Sequence, residues 1–578
     1  MIQEAEGLDK VREATLKYAV YNASQFGGKA QPGPVMGRIF AEFPEAKANA
    51  REVTALVNEV VSEVNSWSHE RQLETVKQWP ELFEQKKEAV EKKHLPPLRN
   101  VDAFPMVKVR FAPNPDGPLH LGSAESIIFS DEYAKMYGGH FILRFEDTSA
   151  DVKPPIPEMY DWIDEDLKWL GVRIDERYIQ SDRLQIYYKY AEKLLAMGAA
   201  YVCTCDSDEY RNLYMAKKAC RCRDLPPEEH MARWGRMLDG TYRKGDAVVR
   251  IKTDIEHPNP AIRDWPALRI STRAHPRVGK KYRVWPLYNF SCAVDDHEMG
   301  VSHAIRGKEH EVNSTRQKYI FDHLGWRFPE VINVGRLGLE AGILSKSKIR
   351  VGVENGTYSS WDDPRLGTLR ALRRRGLQPE TIREIMIQVG PKPINVTLSW
   401  GNIAAANKKI LEPRANRYFF VQDPIDIMVE GVPGELSAKL PLHPDHPERG
   451  YREYTVKPVD GKLRLFAPSK DMEQAEGRLI RLMGLANVEV LRVGASVEAR
   501  YHSKEHQIAR EKGAPFIHWV TEGESIATEV VMPDASRAVG LAERLCSSLR
   551  VDDMIQFERF GFVRVDSVDP FVAYYAHN

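Results

Sequence analysis

Val107-Lys-Val-Arg-Phe-Ala-Pro-Asn-Pro-Asp-Gly-Pro-Leu-His-Leu-Gly-Ser123 is the stretch around which the chain is organised. Val107 to Phe111 alternates apolar and basic residues, the pattern of a short strand. Pro113-Asn-Pro-Asp-Gly-Pro118 can hardly be helical or sheet-paired and predicts a tight turn. A helix then opens at His120-Leu-Gly-Ser123 and runs to the stop at Gly138-Gly139. Strand, turn and a glycine at the helix entry make a phosphate site. Free N–H groups at the helix start point at the anion, Gly122 admits the nucleotide, and His120 adds a donor.

This stretch resembles the HIGH signature of class I aminoacyl-tRNA synthetases, and its surroundings look like the glutamyl and glutaminyl branch. Ser123 stands where the last histidine of the signature would be, so His120 is the one imidazole. The resemblance implies ATP binding by Pro113, Asn114, Gly117, His120, Gly122 and Ser123.

The 578 residues, 43% hydrophobic, suffice for several domains with ample core. Lys plus Arg and Asp plus Glu number 82 each, so a nucleic-acid partner would have to meet local basic patches. The start, MIQEAEGLDK, is acidic and lacks the apolar core of a signal peptide. No apolar run reaches the ~18 residues of a membrane span, so no membrane partner is expected. Six cysteines are too few for a disulfide scaffold, and four of them cluster, which points to a reducing compartment and the cytoplasm.

Residues 3–25, 46–67 and 68–93 read as three helices. In the second, Val53, Leu56, Val57, Val60, Val61 and Val64 share a stripe. The first nucleotide-binding half follows. A strand through Phe141 to Thr148 puts Glu146 and Asp147 at its carboxyl end, where an open parallel sheet binds ligands. A carboxylate there can hold an α-ammonium group, and the resemblance favours Glu146. The helix 156–170 carries Ile156, Met159, Trp162, Ile163 and Leu167 inward, and Ser181-Asp182 is expected to cap the next helix.

Cys203-Thr-Cys205 and Cys220-Arg-Cys222 form a CxC…CxC pair separated by fourteen residues. Four thiolates can close a tetrahedral structural zinc site with no position left for water. Lys217, Lys218, Arg221 and Arg223 around it suit phosphates or a solvated face equally. Thr241 to Lys252 reads as a hairpin with a Lys-Gly-Asp turn.

The parallel sheet is expected to resume at Arg283. Tyr288 and Cys292 lie four apart on the next helix and could look into one pocket. The matching family segment lines the amino-acid pocket with such a tyrosine. Arg306 ends the following strand. A γ-carboxylate needs a cation, and a neutral amide would leave that cation unpaired at several kcal/mol cost. Arg110 and Arg306 can supply it from opposite sides. The resemblance adds that glutaminyl enzymes usually lack an arginine at the equivalent of Arg306, which favours glutamate.

Ile343-Leu-Ser-Lys-Ser347 resembles the KMSKS loop without its first lysine. Ser345 and Lys346 are its candidate ATP contacts, and Lys346 can neutralise charge as pyrophosphate leaves. Arg365, Arg370, Arg373, Arg374 and Arg375 interleave with leucines, suggesting an outward basic face for the inside of a bent tRNA. From about residue 411 short apolar runs and turns at ~8–12-residue spacing argue for β-barrels.

The chain is therefore similar throughout to archaeal-type glutamyl-tRNA synthetases. The expected architecture is multidomain α/β. Residues 1–100 form an N-terminal helical module and 101–200 the first half of a Rossmann-like catalytic domain. An acceptor-stem insertion with the four cysteines follows at 201–265, then the second catalytic half at 266–335. The KMSKS-type loop and a helical region occupy 336–410, and a two-barrel anticodon-binding domain 411–578. The resemblance implies ATP-dependent activation of L-glutamate with Mg²⁺, and transfer to the glutamate tRNA; the lack of a long coiled coil or large apolar stretch makes a monomer the default expectation. His120 and Lys346 are the catalytic candidates, Arg110, Glu146, Tyr288, Cys292 and Arg306 the substrate contacts, and Cys203, Cys205, Cys220 and Cys222 the zinc ligands. Charging of the glutamine tRNA as well stays open. A glutaminyl enzyme, an inactive tRNA-binding paralogue and another HxGH nucleotidyltransferase are the rival readings.

Overall fold

The computed structural model describes residues 2–25, 28–79, 82, 94–149 and 151–578. The chain divides into two compact units, Met1–Lys93 and His94–Asn578.

In the first unit the helices Ile2–Gln25, Pro32–Glu42 and Ala50–Asn65 bury the expected valines, Val53, Val57, Val60, Val61 and Val64. Leu56 is half-buried at the edge of that stripe. The third helix starts at Ala50 rather than 46, because Pro44–Asn49 winds as a 3₁₀ turn. Of the helix expected over 68–93, His69–Thr75 is helical and capped by Ser68, while most of its remainder lies outside the described residues.

The second unit is built on a five-stranded parallel sheet. Its strands are β1 (Lys108–Phe111), β2 (His140–Phe145), β3 (Glu176–Ile179), β8 (His303–Gly307) and β9 (Glu330–Val334), in the order β3-β2-β1-β8-β9. The order reverses at β1, which pairs with β2 on one side and β8 on the other. A crevice at such a switch point is where open α/β sheets bind ligands. Val109, Phe141, Leu143 and Phe145 are buried against Ile127, Ile128 and Phe129 of the helix Leu121–Met136. The buried strands carry near-continuous apolar sequence, as a two-sided parallel sheet requires. Arg110 and Arg144 break that rule and need partners.

A four-stranded antiparallel sheet is inserted between β3 and β8. It contains β4 (Ala200–Cys203), β5 (Val248–Ile251), β6 (Pro266–Ile270) and β7 (Val284–Pro286). Three expectations fail in this part of the chain. The hairpin over 241–252 does not form: β5 pairs with β4 and β6, and Lys244-Gly-Asp246 belongs to an irregular turn before it. The parallel sheet also does not resume at Arg283, because β7 closes the small sheet and only β8 rejoins the large one. Ser181 is no helix cap either. It lies in the 3₁₀ turn Gln180–Asp182 and donates its hydroxyl to Asp147 at 2.7 Å.

The expected outward arginine face is largely consumed by packing. Leu369–Arg374 is a six-residue helix with Leu369 and Leu372 buried. Arg370 pairs with Glu165 and lies over Trp162. Arg374 binds Asp566 at 2.9 Å and Asp362 at 3.2 Å, and Arg365 binds Asp363 at 2.7 Å. Arg375 is buried, which leaves Arg373 as the one largely exposed.

From Asn416 onward the chain is β-rich, as expected. Its strands make a seven-stranded sheet, a six-stranded sheet and a two-stranded ribbon of Leu436–Pro441 with Tyr451–Val456, with separate cores around Phe557 and Val563 and around Leu465 and Val488. Arg452 is 1% exposed and binds Glu543 at 2.6 Å and Glu558 at 2.5 Å. Burial pushes the Glu543 carboxyl up against the pull of Arg452, so the pair is held by mutual neutralisation. Removing one partner of such a pair leaves an unpaired buried charge. Arg452→Met is expected to destabilise the protein by about 3–5 kcal/mol in chemical denaturation, and a loss below about 1 kcal/mol would contradict this.

Candidate active site

A cavity of about 730 Å³ opens at the carboxyl ends of β1, β2 and β8. Arg110 and Phe111 from β1, Glu146 after β2, Gln180 after β3 and Ile305 and Arg306 from β8 line it. Tyr288 and Asn289 at the start of the helix Tyr288–Glu298, and His310, Asn313 and Arg316 beyond β8, complete the wall. The helix starts at Tyr288 because Pro286-Leu287 ends β7 and Leu287 is extended.

The floor is a charge network. Arg144 on β2 has no exposed surface. It donates to Asp296 at 2.7 Å, to Glu146 at 3.0 Å and to the Cys292 thiol at 3.3 Å. Arg110 donates to both oxygens of Asp296, at 2.7 and 3.0 Å. Asp296 is held well below the usual carboxylate range: Arg110 and Arg144 outweigh its desolvation. Neighbouring Asp295 accepts from Gln180 at 3.0 Å, Tyr187 at 2.7 Å and Arg183 at 2.9 Å. Neither Asp295 nor Asp296 was singled out in the sequence, although two adjacent aspartates on an otherwise buried helix, Phe290-Ser-Cys-Ala-Val-Asp-Asp296, are a signal for buried cations.

Arg306 differs from Arg110. It is 5% exposed, and Nη1 donates to Gln317 at 3.0 Å, but Nε and Nη2 have no partner. A buried guanidinium with two free donors beside a cavity is prepared for an anion. Glu146 sits 12% exposed across the same cavity, and burial pushes its carboxyl up against the pull of Arg144 and Arg110. Tyr288 approaches His310 Nδ1 at 3.4 Å. Asp147, next to Glu146, faces away and accepts from Ser181 and Tyr160. Cys292 is not a cavity residue. Its buried thiol lies behind the wall, 3.6 Å from Arg110 and 3.7 Å from Asp296, and burial with Asp296 pushes it up to about 12. One helical turn was enough to rotate it from the cavity into the ion network.

The Pro113–Pro118 turn lies beside this cavity. Pro113 O accepts from Glu146 N at 2.9 Å, and Asn114 Oδ1 is buried without a partner at the cavity edge. His120 stands at the N-cap of the helix Leu121–Met136. The space beside Gly122 is filled by the His120 ring: a Cβ there would lie 3.1 Å from it. Ser345 stands at the N-cap position of the helix Lys346–Glu354, which Lys346 begins. Lys346 Nζ reaches back to Asn114 O at 3.2 Å and Asp116 Oδ1 at 3.3 Å, which brings the two distant motifs together. Gly117 gives the lysine stem room, since a Cβ there would stand 3.3 Å from its Cδ.

Cys203, Cys205, Cys220 and Cys222 converge, their sulfur atoms all within 4.8 Å of one another. The separations of 3.9 Å (Cys203–Cys220) and 3.7 Å (Cys205–Cys222) match the ~3.8 Å edge of a tetrahedron with ~2.3 Å metal–sulfur bonds. Cys222 also accepts from Arg233 at 3.3 Å and from Thr204 N at 3.5 Å, hydrogen bonds that favour thiolate. The donor set fits a structural zinc ion. Of the basic residues around it, Lys217, Lys218 and Arg221 are exposed, while Arg223 is taken by Asp264 at 2.8 Å.

Burial and the nearby Lys346 ammonium push the His120 imidazolium down to about 4, so the ring is neutral at physiological pH. Its Nδ1 has no partner. A ring-proton titration of His120 by NMR is expected to show a midpoint near 4, well below the ordinary ~6.5. A midpoint at or above 6 would contradict this environment.

Residues 106–413 match the catalytic domain of the class I tRNA synthetases (E and Q), and residues 415–503 and 516–566 match the anti-codon binding domains of the same group. A glutamate–tRNA ligase of Thermococcus kodakarensis is 53% identical over 99% of this chain and 100% of its own length. That of Pyrococcus furiosus is 52% identical over 98% of this chain and 100% of its own. That of Methanopyrus kandleri is 45% identical over 98% and 99%. The chain belongs to the E and Q family of class I tRNA synthetases.

Proposed function

We infer that the chain is a glutamate–tRNA ligase. An α-carboxylate oxygen of L-glutamate attacks the α-phosphorus of ATP, the bond to the β-phosphate breaks, and glutamyl-adenylate and pyrophosphate form. A hydroxyl of the terminal adenosine of tRNA, the 2′-hydroxyl by likeness to the class, then attacks the glutamyl carbonyl and AMP leaves. The observation that carries glutamate over glutamine is Arg306, a buried guanidinium with free Nε and Nη2 at the cavity wall. A γ-carboxylate satisfies it, and an amide leaves it uncompensated. That the named relatives matching the whole chain are glutamate–tRNA ligases supports the same choice.

Glu146 holds the α-ammonium group, and Tyr288 with Arg110 shapes the pocket around it. Arg110 acts there as a wall of fixed charge, because Asp296 already occupies its fork. His120, the amide groups of Leu121–Ser123 and Lys346 hold the triphosphate, with Pro113, Asn114, Gly117 and Ser345 shaping the nucleotide's bed and Mg²⁺ as its counter-ion. Neutral His120 donates one hydrogen bond without adding charge. Lys346 trades Asp116 for the phosphates as charge gathers on the leaving pyrophosphate. Catalysis is thus positioning and charge neutralisation. The four thiolates hold zinc, which shapes the inserted sheet and takes no part in the chemistry. The enzyme acts as a cytoplasmic monomer. Among the described residues no helix is long and apolar enough to cross a membrane.

Arg306→Gln is expected to raise the KM for glutamate by about a hundredfold or more, the cost of one lost charge-assisted contact of roughly 3 kcal/mol, with the KM for ATP changed little. Pyrophosphate exchange at varied glutamate and ATP reads both. An unchanged glutamate KM would remove Arg306 from the specificity role.

A further inference from the structure

A second buried guanidinium lacks a counter-ion, and it lies outside the amino-acid cavity. Arg375 follows the helix Leu369–Arg374 and is 6% exposed. Its Cζ lies 4.2 Å from the ring centroid of Trp400. Its buried Nε has no hydrogen-bond partner, and among the described residues no carboxylate is close enough to offset its desolvation, which pushes the guanidinium down to about 10. The arginines near it in sequence are different: Arg365, Arg370 and Arg374 each pair with an acid. A cation that is desolvated and unpaired is costly, so an unmet demand for an anion is built into this place.

Arg375 opens on a cavity of about 630 Å³ that shares no lining residue with the amino-acid cavity. Ala341 and Gly342, just ahead of the Lys346 loop, form one wall. The start of the helix Trp400–Leu411 and the strand end at Tyr575 form others. Among the described residues Asp534 is the one acidic side chain on the lining, and its Oδ1 is occupied by Ser536, at 2.6 Å from the hydroxyl and 2.9 Å from the amide. The wall also connects to the catalytic loop, because Trp400 Nε1 donates to Ala341 O at 2.8 Å.

We propose that this cavity is a phosphate-binding site anchored by Arg375, taking either a backbone phosphate of bound RNA or free inorganic phosphate. The planar fork suits an oxyanion, and Trp400 behind it fixes the plane. An occupied site braces Trp400 and, through Ala341, the segment that leads to Lys346. The RNA source rests on the tRNA-ligase reading above, and the free-phosphate source does not.

The test uses the full chain, with Arg375→Gln and Ala404→Glu as variants. Ala404 lines the cavity on a half-exposed helix face, so the second variant adds a competing carboxylate and leaves the Arg375–Trp400 stack in place. Inorganic phosphate is titrated by calorimetry, and a tRNA transcript is bound at several salt concentrations. Phosphate binding that weakens tenfold or more in both variants assigns the site to the free anion. Absence of phosphate heat, with tRNA affinity lowered about tenfold and the salt slope reduced by about one in both variants, assigns it to an RNA phosphate. If neither quantity changes in either variant, the proposal is overturned and Arg375 only packs on Trp400. Should Arg375→Gln fail to fold, Ala404→Glu alone decides between these outcomes.

Discussion

The ion pair between Arg144 and Asp296, 2.7 Å apart with almost no exposure on either side, is the constraint on which the site depends. A central parallel strand has no water to offer a guanidinium, so Arg144 is tolerable only if acids surround it. Asp296 answers that need and at the same time takes both donors of the Arg110 fork. Glu146 is then fixed by Arg144 from below. The cavity thus inherits a preset arrangement in which an anchored carboxylate and the free guanidinium of Arg306 stand on different walls. An amino acid with an ammonium group and a distal carboxylate matches that arrangement, and the strands hold it before the substrate arrives.

A second constraint joins the two ATP motifs. The segment Leu366–Leu369 runs between them as a strut. Leu121 N donates to Gly367 O at 3.0 Å and Leu369 N to Leu119 O at 2.9 Å, while Gly367 N donates to Ile343 O at 3.2 Å. A Cβ at Gly367 would stand 2.4 Å from Leu344 Cδ2, so a side chain there would have to displace that leucine. The loop before Lys346 and the turn before His120 are therefore tied to one piece of backbone, whose helix ends on the Arg374–Asp566 pair of the last β-sheet.

Local chemistry was legible in the sequence. The Pro113–Pro118 turn, the helix opening at His120, the spacing of the four cysteines and the β texture after residue 411 are all written in neighbouring residues, and they placed the site. Long-range pairing was not legible. Nothing near Arg144 announces Asp296, which is 152 positions away. The same gap misplaced Cys292, which four-residue spacing puts on the Tyr288 face but which the buried arginines draw behind the wall. The arginines between 365 and 375 read as an outward basic face for RNA because periodicity reports one helix's sides and not what packs against them. Trp162, Asp566 and Trp400 come from distant parts of the chain. The supposed 241–252 hairpin failed for a related reason: its apolar half is a good strand, but β4 and β6 offered better partners than its own turn did.

The most direct measurement is ATP–pyrophosphate exchange by the purified full chain, with glutamate or glutamine, each with and without tRNA. The arrangement of Glu146 and Arg306 predicts exchange with glutamate and none above background with glutamine at equal concentration. Exchange supported equally by glutamine would contradict the central claim that an unpaired buried guanidinium selects the substrate's second carboxylate.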